Sequence, residues 1–264
     1  DGAWDVFPID LDQDGDMDVV VASHEDNKVR WFKNDGASDP SFQGYEILTG
    51  IDARGVHAGD IDGDGDIDVA VAGGTNHRIL WLENNGSQSF TSNLVYQPNN
   101  PRSVFIADID NDGDMDIAAA NYGYDQLGWY ANNGAADPSW SANSMNATLS
   151  GAISVYVGDI DGDGDLDMVG GAQDSNTLYW YENTSSNGGA SFGNSDLHTI
   201  SSSVNGINSV YAKDLDNDGD LDILSASIAD DKIAWYESNG AADPTFTART
   251  IATSADGAAS VFAA

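Results

Sequence analysis

A nine-residue acidic pattern, DxDxDGDxD, occurs five times along the 264 residues, at 10–18, 60–68, 108–116, 159–167 and 214–222. Successive starts are 50, 48, 51 and 55 residues apart. A period of that length constrains the fold more than any other feature, because a unit of about 50 residues buries its apolar faces only by stacking on neighbours of its own kind. The chain is therefore read as an array of repeats at approximately 1–50, 51–98, 99–149, 150–204 and 205–255, forming a single repeat domain.

Within each repeat the order of segments is the same. A short apolar stretch precedes the acidic pattern, such as SVFIA at 103–107 or SVYVG at 154–158, and another follows it, such as MDVVVAS at 17–23. After a polar gap comes a third segment with a fixed tryptophan: KVRWFKN at 28–34, RILWLEN at 78–84, QLGWYAN at 126–132, TLYWYEN at 177–183 and KIAWYES at 232–238. A turn rich in Asn, Gly and Pro leads to a weaker fourth segment, such as FQGYEIL at 42–48. Short runs of Val, Ile and aromatic residues bounded by Gly, Asn and Asp are strand signals, and no stretch has a helical period. Four strands per repeat predicts an all-β fold, a β-propeller of four-stranded blades. Trp31, Trp81, Trp129, Trp180 and Trp235 are expected to pack between adjacent blades.

Residues 256–264, DGAASVFAA, match residues 1–9, DGAWDVFPI, in register. That fits either a five-bladed ring with a spare copy of its first strand, or part of a larger propeller with 256–264 starting a sixth repeat.

The acidic patterns have the spacing of a cation loop. Carboxylates at positions 1, 3 and 5, a glycine at 6 for the sharp turn, a backbone carbonyl at 7 and a carboxylate at 9 form a ring of oxygens, the order found at the start of an EF-hand loop. The candidate metal residues are Asp10, Asp12, Asp14, Asp16 and Asp18; Asp60, Asp62, Asp64, Asp66 and Asp68; Asp108, Asp110, Asp112, Asp114 and Asp116; Asp159, Asp161, Asp163, Asp165 and Asp167; and Asp214, Asp216, Asp218, Asp220 and Asp222. The position-7 acids are expected to contribute their carbonyls, and Gly15, Gly65, Gly113, Gly164 and Gly219 the turns. Two like charges about 4 Å apart repel by roughly 4 kcal/mol at an effective dielectric of 20, so each loop needs a cation to close. Hard oxygen ligands in an all-protein cage favour calcium over zinc, copper or magnesium. One Ca2+ per loop is expected, five in all, with a structural role.

Composition narrows the partners. Nine Lys and Arg stand against 44 Asp and Glu, a formal charge of −35, which argues against nucleic acid or an anionic membrane as partner. No apolar run reaches the length of a membrane-spanning helix, so no membrane insertion is expected. Cysteine is absent, so disulfides play no part. A hydrophobic content of 41% with seven Trp is too high for a disordered acidic chain.

The DxDxDGDxD loop between two apolar strands, followed by a KIAWYE-type strand, resembles the FG-GAP/VCBS repeat family, whose calcium loops also occur in the propeller of integrin α subunits. The likeness covers the whole chain. It implies a calcium-loaded propeller, secreted or at a cell surface and commonly bacterial, with a role in adhesion or carbohydrate binding. Some polysaccharide lyases and lectins carry similar propellers. The FG and GAP tripeptides of the integrin type are reduced here to echoes, GGA at 170–172 and NGA at 239–241.

Catalysis would require a unique site that breaks the repeat symmetry. His24, His57, His77 and His198 lie in no recognisable motif, there is no cysteine nucleophile, and GxSxG is missing. Metal-committed carboxylates are poor proton donors. Arg54 and Arg102 could reach an anionic sugar or simply moderate a negative surface. Residues 121–125 (NYGYD) and the 184–198 insertion are the non-repeated segments where a unique site would lie. The reading is a binding module for a glycan or an extracellular protein and not an enzyme, with two alternatives: a catalytic or accessory propeller of a secreted polysaccharide-degrading enzyme, and a structural spacer.

Overall fold

The computed structural model describes residues 2–145, 149–185 and 189–263. It contains five four-stranded antiparallel sheets in which sequential strands are neighbours. The sheets comprise β1 (Ala3–Ile9), β2 (Asp18–Ser23), β3 (Lys28–Asn34) and β4 (Phe42–Thr49); β5 (Ala53–Gly59), β6 (Asp68–Gly73), β7 (Arg78–Asn84) and β8 (Phe90–Tyr96); β9 (Pro101–Ala107), β10 (Asp116–Asn121), β11 (Gln126–Asn132) and β12 (Trp140–Ser144); β13 (Ala152–Gly158), β14 (Asp167–Ala172), β15 (Thr177–Tyr181) and β16 (Leu197–Ser201); and β17 (Ile207–Lys213), β18 (Asp222–Ser227), β19 (Lys232–Ser238) and β20 (Phe246–Ala252). Two single-turn 3-10 helices, Tyr122–Tyr124 and Asn194–Asp196, are the only helical segments among the described residues. The chain is thus an all-β propeller of four-stranded blades.

Burial explains the uneven strand signals. Second strands are buried on both faces, and β6, β10, β14 and β18 have every residue buried. They therefore read as continuous apolar runs and not as alternations. Fourth strands are mostly exposed, as in β4 and β20, and their sequences are correspondingly loose.

By compactness the chain falls into two units, one of residues 1–107, 113–119 and 129–143, the other of residues 108–112, 120–128 and 144–264. In the first unit, Trp31 joins Val20 and Val29 of its own sheet with Val56, Val69 and Leu80 of the next. Trp81 does the same with Val104, Ile106 and Ile117. In the second unit Trp180 packs with Ile207, Val210 and Ile223 of the following sheet. Trp31, Trp81 and Trp180 are thus inter-blade core, as their periodicity predicts, and Trp129 is buried, whereas Trp235 is only half-buried and lies under Arg249, 5.4 Å from its ring centre.

First strands of neighbouring sheets also meet. Val56 N–H donates to Asp5 Oδ2 at 2.9 Å, and in the second unit Val210 N–H donates to Ser154 Oγ at 3.1 Å. Val261 N–H donates to Ser209 Oγ at 3.3 Å, so residues around 261 lie against β17 as one first strand lies against another. The same strands stack their aromatic rings: His57 sits between Phe7 and Phe105, with centroids 4.1 and 4.4 Å away. Tyr211 sits between Tyr156 and Phe262 at 5.2 and 5.0 Å.

Candidate metal centres

Each acidic pattern connects the first and second strands of its sheet. Position 1 organises the loop: Asp10 takes the N–H groups of Asp14 and Gly15 at 3.0 and 2.9 Å, and Asp214 takes those of Asn217, Asp218 and Gly219 at 2.7, 3.2 and 3.1 Å. The turn glycines have φ of 96° to 102°, a conformation that side chains strain to adopt. Position 4 is left-handed too, with Gln13 at 57°, Gly63 at 74°, Asn111 at 56°, Gly162 at 78° and Asn217 at 64°. The preference for Gly and Asn there was visible in the sequence but carried no assigned role.

Position 9 begins the second strand and is fully buried. Asp18 accepts from Leu11 N–H at 3.3 Å, Trp31 Nε1 at 2.8 Å and Asn34 N–H at 2.7 Å. The last of these recurs in every blade: Asn84, Asn132, Asn183 and Ser238 donate to Asp68, Asp116, Asp167 and Asp222 at 2.8 to 2.9 Å. The residue ending the third strand therefore closes the loop from the other side. The sequence places that residue at the end of the third segment without giving it a role, although its fixed spacing of 16 residues after position 9 is a readable signal.

One oxygen from each of Asp10, Asp12 and Asp18 lies within 4.8 Å of the others, as do oxygens of Asp60, Asp62 and Asp68; of Asp108, Asp110 and Asp116; and of Asp159, Asp161 and Asp167. In the fifth loop the grouped acids are Asp214, Asp216 and Asp218. Positions 1 and 3 thus converge in all five loops, with position 9 joining them in four and position 5 in one. Position 7 stands outside these groups. The Asp16 carboxylate lies over Gly36, Asp66 over Gly86, Asp114 over Gly134 and Asp220 over Gly240, so close that any side chain at those glycines would collide with it. In these four loops the position-7 acid thus packs against the turn after the third strand.

The clusters fit a hard cation. Asp12 Oδ1, Asp60 Oδ1 and Asp110 Oδ1 are buried without a hydrogen-bond partner, an expensive state for a carboxylate unless a positive charge faces it. Burial pushes Asp68 up to about 7 and Asp167 up to about 8, although the N–H groups of Asn84 and Asn183 pull the other way. Asp62, Asp110 and Asp161 are raised as well, by burial first and by neighbouring carboxylates second, Glu83 being one of those beside Asp62 and Glu182 one of those beside Asp161. A divalent ion among these oxygens would reverse that balance.

The first loop differs. Lys33 Nζ contacts Asp12 Oδ2 and lies 2.9 Å from Asp14 Oδ2. Lys33 holds the Asp14 carboxyl below the usual carboxylate range.

The four histidines, Arg54 and Tyr122 have structural partners. His57 is buried and its ring is held well below the ordinary imidazole range, at about 4, by desolvation. His24 packs edge-on against Trp4 at 5.1 Å, His77 Nδ1 accepts from Asn100 N–H at 3.0 Å, and His198 stacks on Trp180 at 4.6 Å. Arg54 is bound to Asp52 at 2.8 Å and lies 4.6 Å over the Trp4 ring. Tyr122 donates to Asp174 Oδ2 at 2.9 Å, while Tyr124 is exposed. Of the 184–198 insertion, residues 186–188 lie outside the described residues.

No helix among the described residues is long and apolar enough to cross a membrane. No curated protein matches the chain. Among solved structures, it is similar to a catalytically inactive virginiamycin B lyase from Staphylococcus aureus with quinupristin, at 12% identity and a TM-score of 0.62, over 98% of this chain and 73% of that one. It is similar to the V. cholerae biofilm matrix protein Bap1 at 18% identity and a TM-score of 0.50, over 98% of this chain and 41% of that one. An auxiliary nutrient binding protein from Bacteroides ovatus matches at 12% identity and a TM-score of 0.60, over 95% of this chain and 57% of that one. At these identities the likeness concerns the fold. The FG-GAP-like repeat model matches five overlapping segments, 10–71, 60–119, 108–170, 163–225 and 214–264. Each of the five begins within or at the start of an acidic loop described above, and the chain belongs to the FG-GAP-like repeat family.

Proposed function

We propose that this chain is a calcium-stabilised binding propeller of an extracellular or cell-surface protein, recognising a glycan or a protein, and that it is not itself a catalyst. The observation that carries the calcium reading is the set of buried, partnerless carboxylate oxygens at position 1 or 3 of three loops, each facing further carboxylates. Calcium suits these loops because oxygen donors at alternate positions around a tight turn fill the large, flexible shell that it takes. Its role is to tie the first and second strands of each blade, so that binding free energy becomes folding free energy.

A groove of ≈ 640 Å³ on the first unit is the place we assign to a ligand. Tyr45 stacks on Trp31 at 5.0 Å and is 45% exposed, which offers a ring face beside Glu46, Ser87 and Gln88. An aromatic platform with a polar rim is suited to a sugar ring. The structural partners of the four histidines and of Arg54 support a binding role over catalysis.

Glycan-array binding by the calcium-loaded protein, by the chelated protein and by Tyr45→Ala tests the reading. Binding that needs calcium and falls at least about tenfold in the variant is expected, a loss of ~1.4 kcal/mol. Depolymerisation of a polysaccharide by the purified chain would instead favour the enzyme alternative, and no calcium uptake in a titration would remove the metal from the account.

A further inference from the structure

The five loops are alike in their acidic residues and unlike in what the third strand places beside them. Two residues after the recurring tryptophan stand Lys33, Glu83, Ala131, Glu182 and Glu237. The side chain at this position emerges next to positions 3 and 5 of the loop, as Lys33 shows by contacting Asp12 and lying 2.9 Å from Asp14. The second and fourth loops therefore carry an additional carboxylate on that strand, Glu182 sharing its own with His198 Nε2 at 3.1 Å, the fifth a carboxylate already paired with Arg249, the third an uncharged methyl group, and the first an ammonium ion.

We infer that Lys33 serves as a built-in cation for the first loop, so that this chain has four divalent sites of ordinary strength and one loop held closed by its own lysine. The inference rests on the calcium reading above. A lysine head group is a compact point charge with three donors, which lets it satisfy carboxylates from two positions of one loop. The Asp12 side chain is only 7% exposed, so the ion pair is shielded from solvent on that side and is less easily screened than a surface pair. A divalent ion entering this loop must displace the ammonium from Asp12 and Asp14. One inward oxygen, Asp12 Oδ1, keeps no partner even with the lysine in place, so the loop retains a weak capacity for a metal at high concentration.

The affinity of oxygen cages for calcium follows the charge assembled around the ion. Exchanging a carboxylate for an ammonium beside the same acidic loop changes that charge by two units, and the expected dissociation constant for the first loop is at least about 100-fold weaker than for the second and fourth. The consequence is a graded array. When calcium is scarce the first hairpin stays closed while the others loosen.

Native mass spectrometry of chelator-stripped protein titrated with calcium tests this, comparing the parent chain with Lys33→Glu, which copies the second loop, and Lys33→Ala, which copies the third. The parent is expected to take up four ions together and a fifth only at about 100-fold higher calcium. Lys33→Glu is expected to take up five together, and Lys33→Ala to bring its fifth ion at least about tenfold closer to the others. Retention of the other four ions in both variants reports that they remain folded. Five equivalent ions in the parent, or a fifth ion that stays weak in both variants, would overturn the inference and leave the calcium reading standing. No uptake by any of the three proteins would overturn both. Hydrogen exchange in chelator gives a second readout: the amides of Asp14, Gly15 and Asp16 are expected to stay protected while those of Gly65, Gly164 and Gly219 exchange, and Lys33→Ala is expected to abolish the difference. Equal exchange in all loops of the chelated parent would count against the proposal.

Discussion

Asp68 is wholly buried, and its oxygens take the N–H groups of Ile61 at 3.2 Å and Asn84 at 2.8 Å. Removing it leaves two buried donors unpaired, each at a cost of about 1–3 kcal/mol. Asp68→Ala is therefore expected to lower unfolding stability by about 3 kcal/mol in urea titrations with calcium withheld, and Asp68→Asn by less than Asp68→Ala, because its single amide oxygen still accepts one of the two N–H groups. Equal effects of the two would mean that the hydrogen bonds matter little. His57 provides a pH test. Its folded value of about 4 lies below the ordinary imidazole value of 6.5, so between those limits the unfolded chain binds more protons and stability falls as the pH falls. The full difference amounts to roughly 3 kcal/mol, developed between pH 6.5 and 4. His57→Phe, which continues the stack of Phe7 and Phe105, is expected to lose less stability than the parent over that window. Burial pushes the neighbouring-strand Asp5 up to about 6, which favours the folded state as the pH drops through that value, but Asp5 is present in both proteins and cancels in the comparison.

At the scale of the element, one side chain fastens a strand end to two loops. Asn132 Nδ2 donates to Met115 carbonyl at 3.1 Å within its own sheet and to Ile61 carbonyl at 2.9 Å in the loop of the preceding repeat, and its Oδ1 accepts from Gly134 N–H at 3.1 Å. Asn132→Ala is expected to cost about 2–3 kcal/mol and to accelerate amide exchange in both loops. A loss confined to its own loop would contradict the link. Strand pairing also explains a local departure from the repeat. Gly170 stands opposite Tyr179, where the second sheet pairs Val71 with Leu80. A Cβ on Gly170 would strike the Tyr179 ring, so the two positions exchange volume. Gly170→Val is expected to destabilise by ~3 kcal/mol, and adding Tyr179→Leu to recover more than half of it. Strand number, strand order and the tryptophan core were legible because burial on both faces writes long apolar runs into second strands and a fixed Trp into third strands. Ring stacking between first strands was not, because Phe7, His57 and Phe105 occupy one position with different chemistry and their contact depends on how neighbouring sheets approach. Fourth strands were indistinct because residues such as Phe42 and Tyr45 face solvent, where sequence is weakly constrained.

Across the whole molecule, 25 of 44 acidic residues lie in the five loops, and the formal charge is −35. Such a charge works against compactness unless cations neutralise it where it is densest. The convergence of positions 1 and 3 follows the spacing, since alternation around a tight turn brings side chains together, whereas spacing placed positions 5 and 9 in every cluster and the structure groups position 9 with them in four loops and position 5 in one. The packing of the position-7 acid against a distant glycine was not readable from spacing, because it needs the third strand to return beside the loop. Each site filled at 100 times its dissociation constant adds about 2.7 kcal/mol, and a chain of this size shifts its midpoint by roughly 2–4 °C per kcal/mol. The most direct measurement is a calorimetric melt of the chain after exhaustive chelation and again after calcium is restored in excess. The account predicts a midpoint at least about 15 °C higher with calcium, and little recovery with magnesium at equal concentration. Superimposable melts in chelator and in calcium would contradict it.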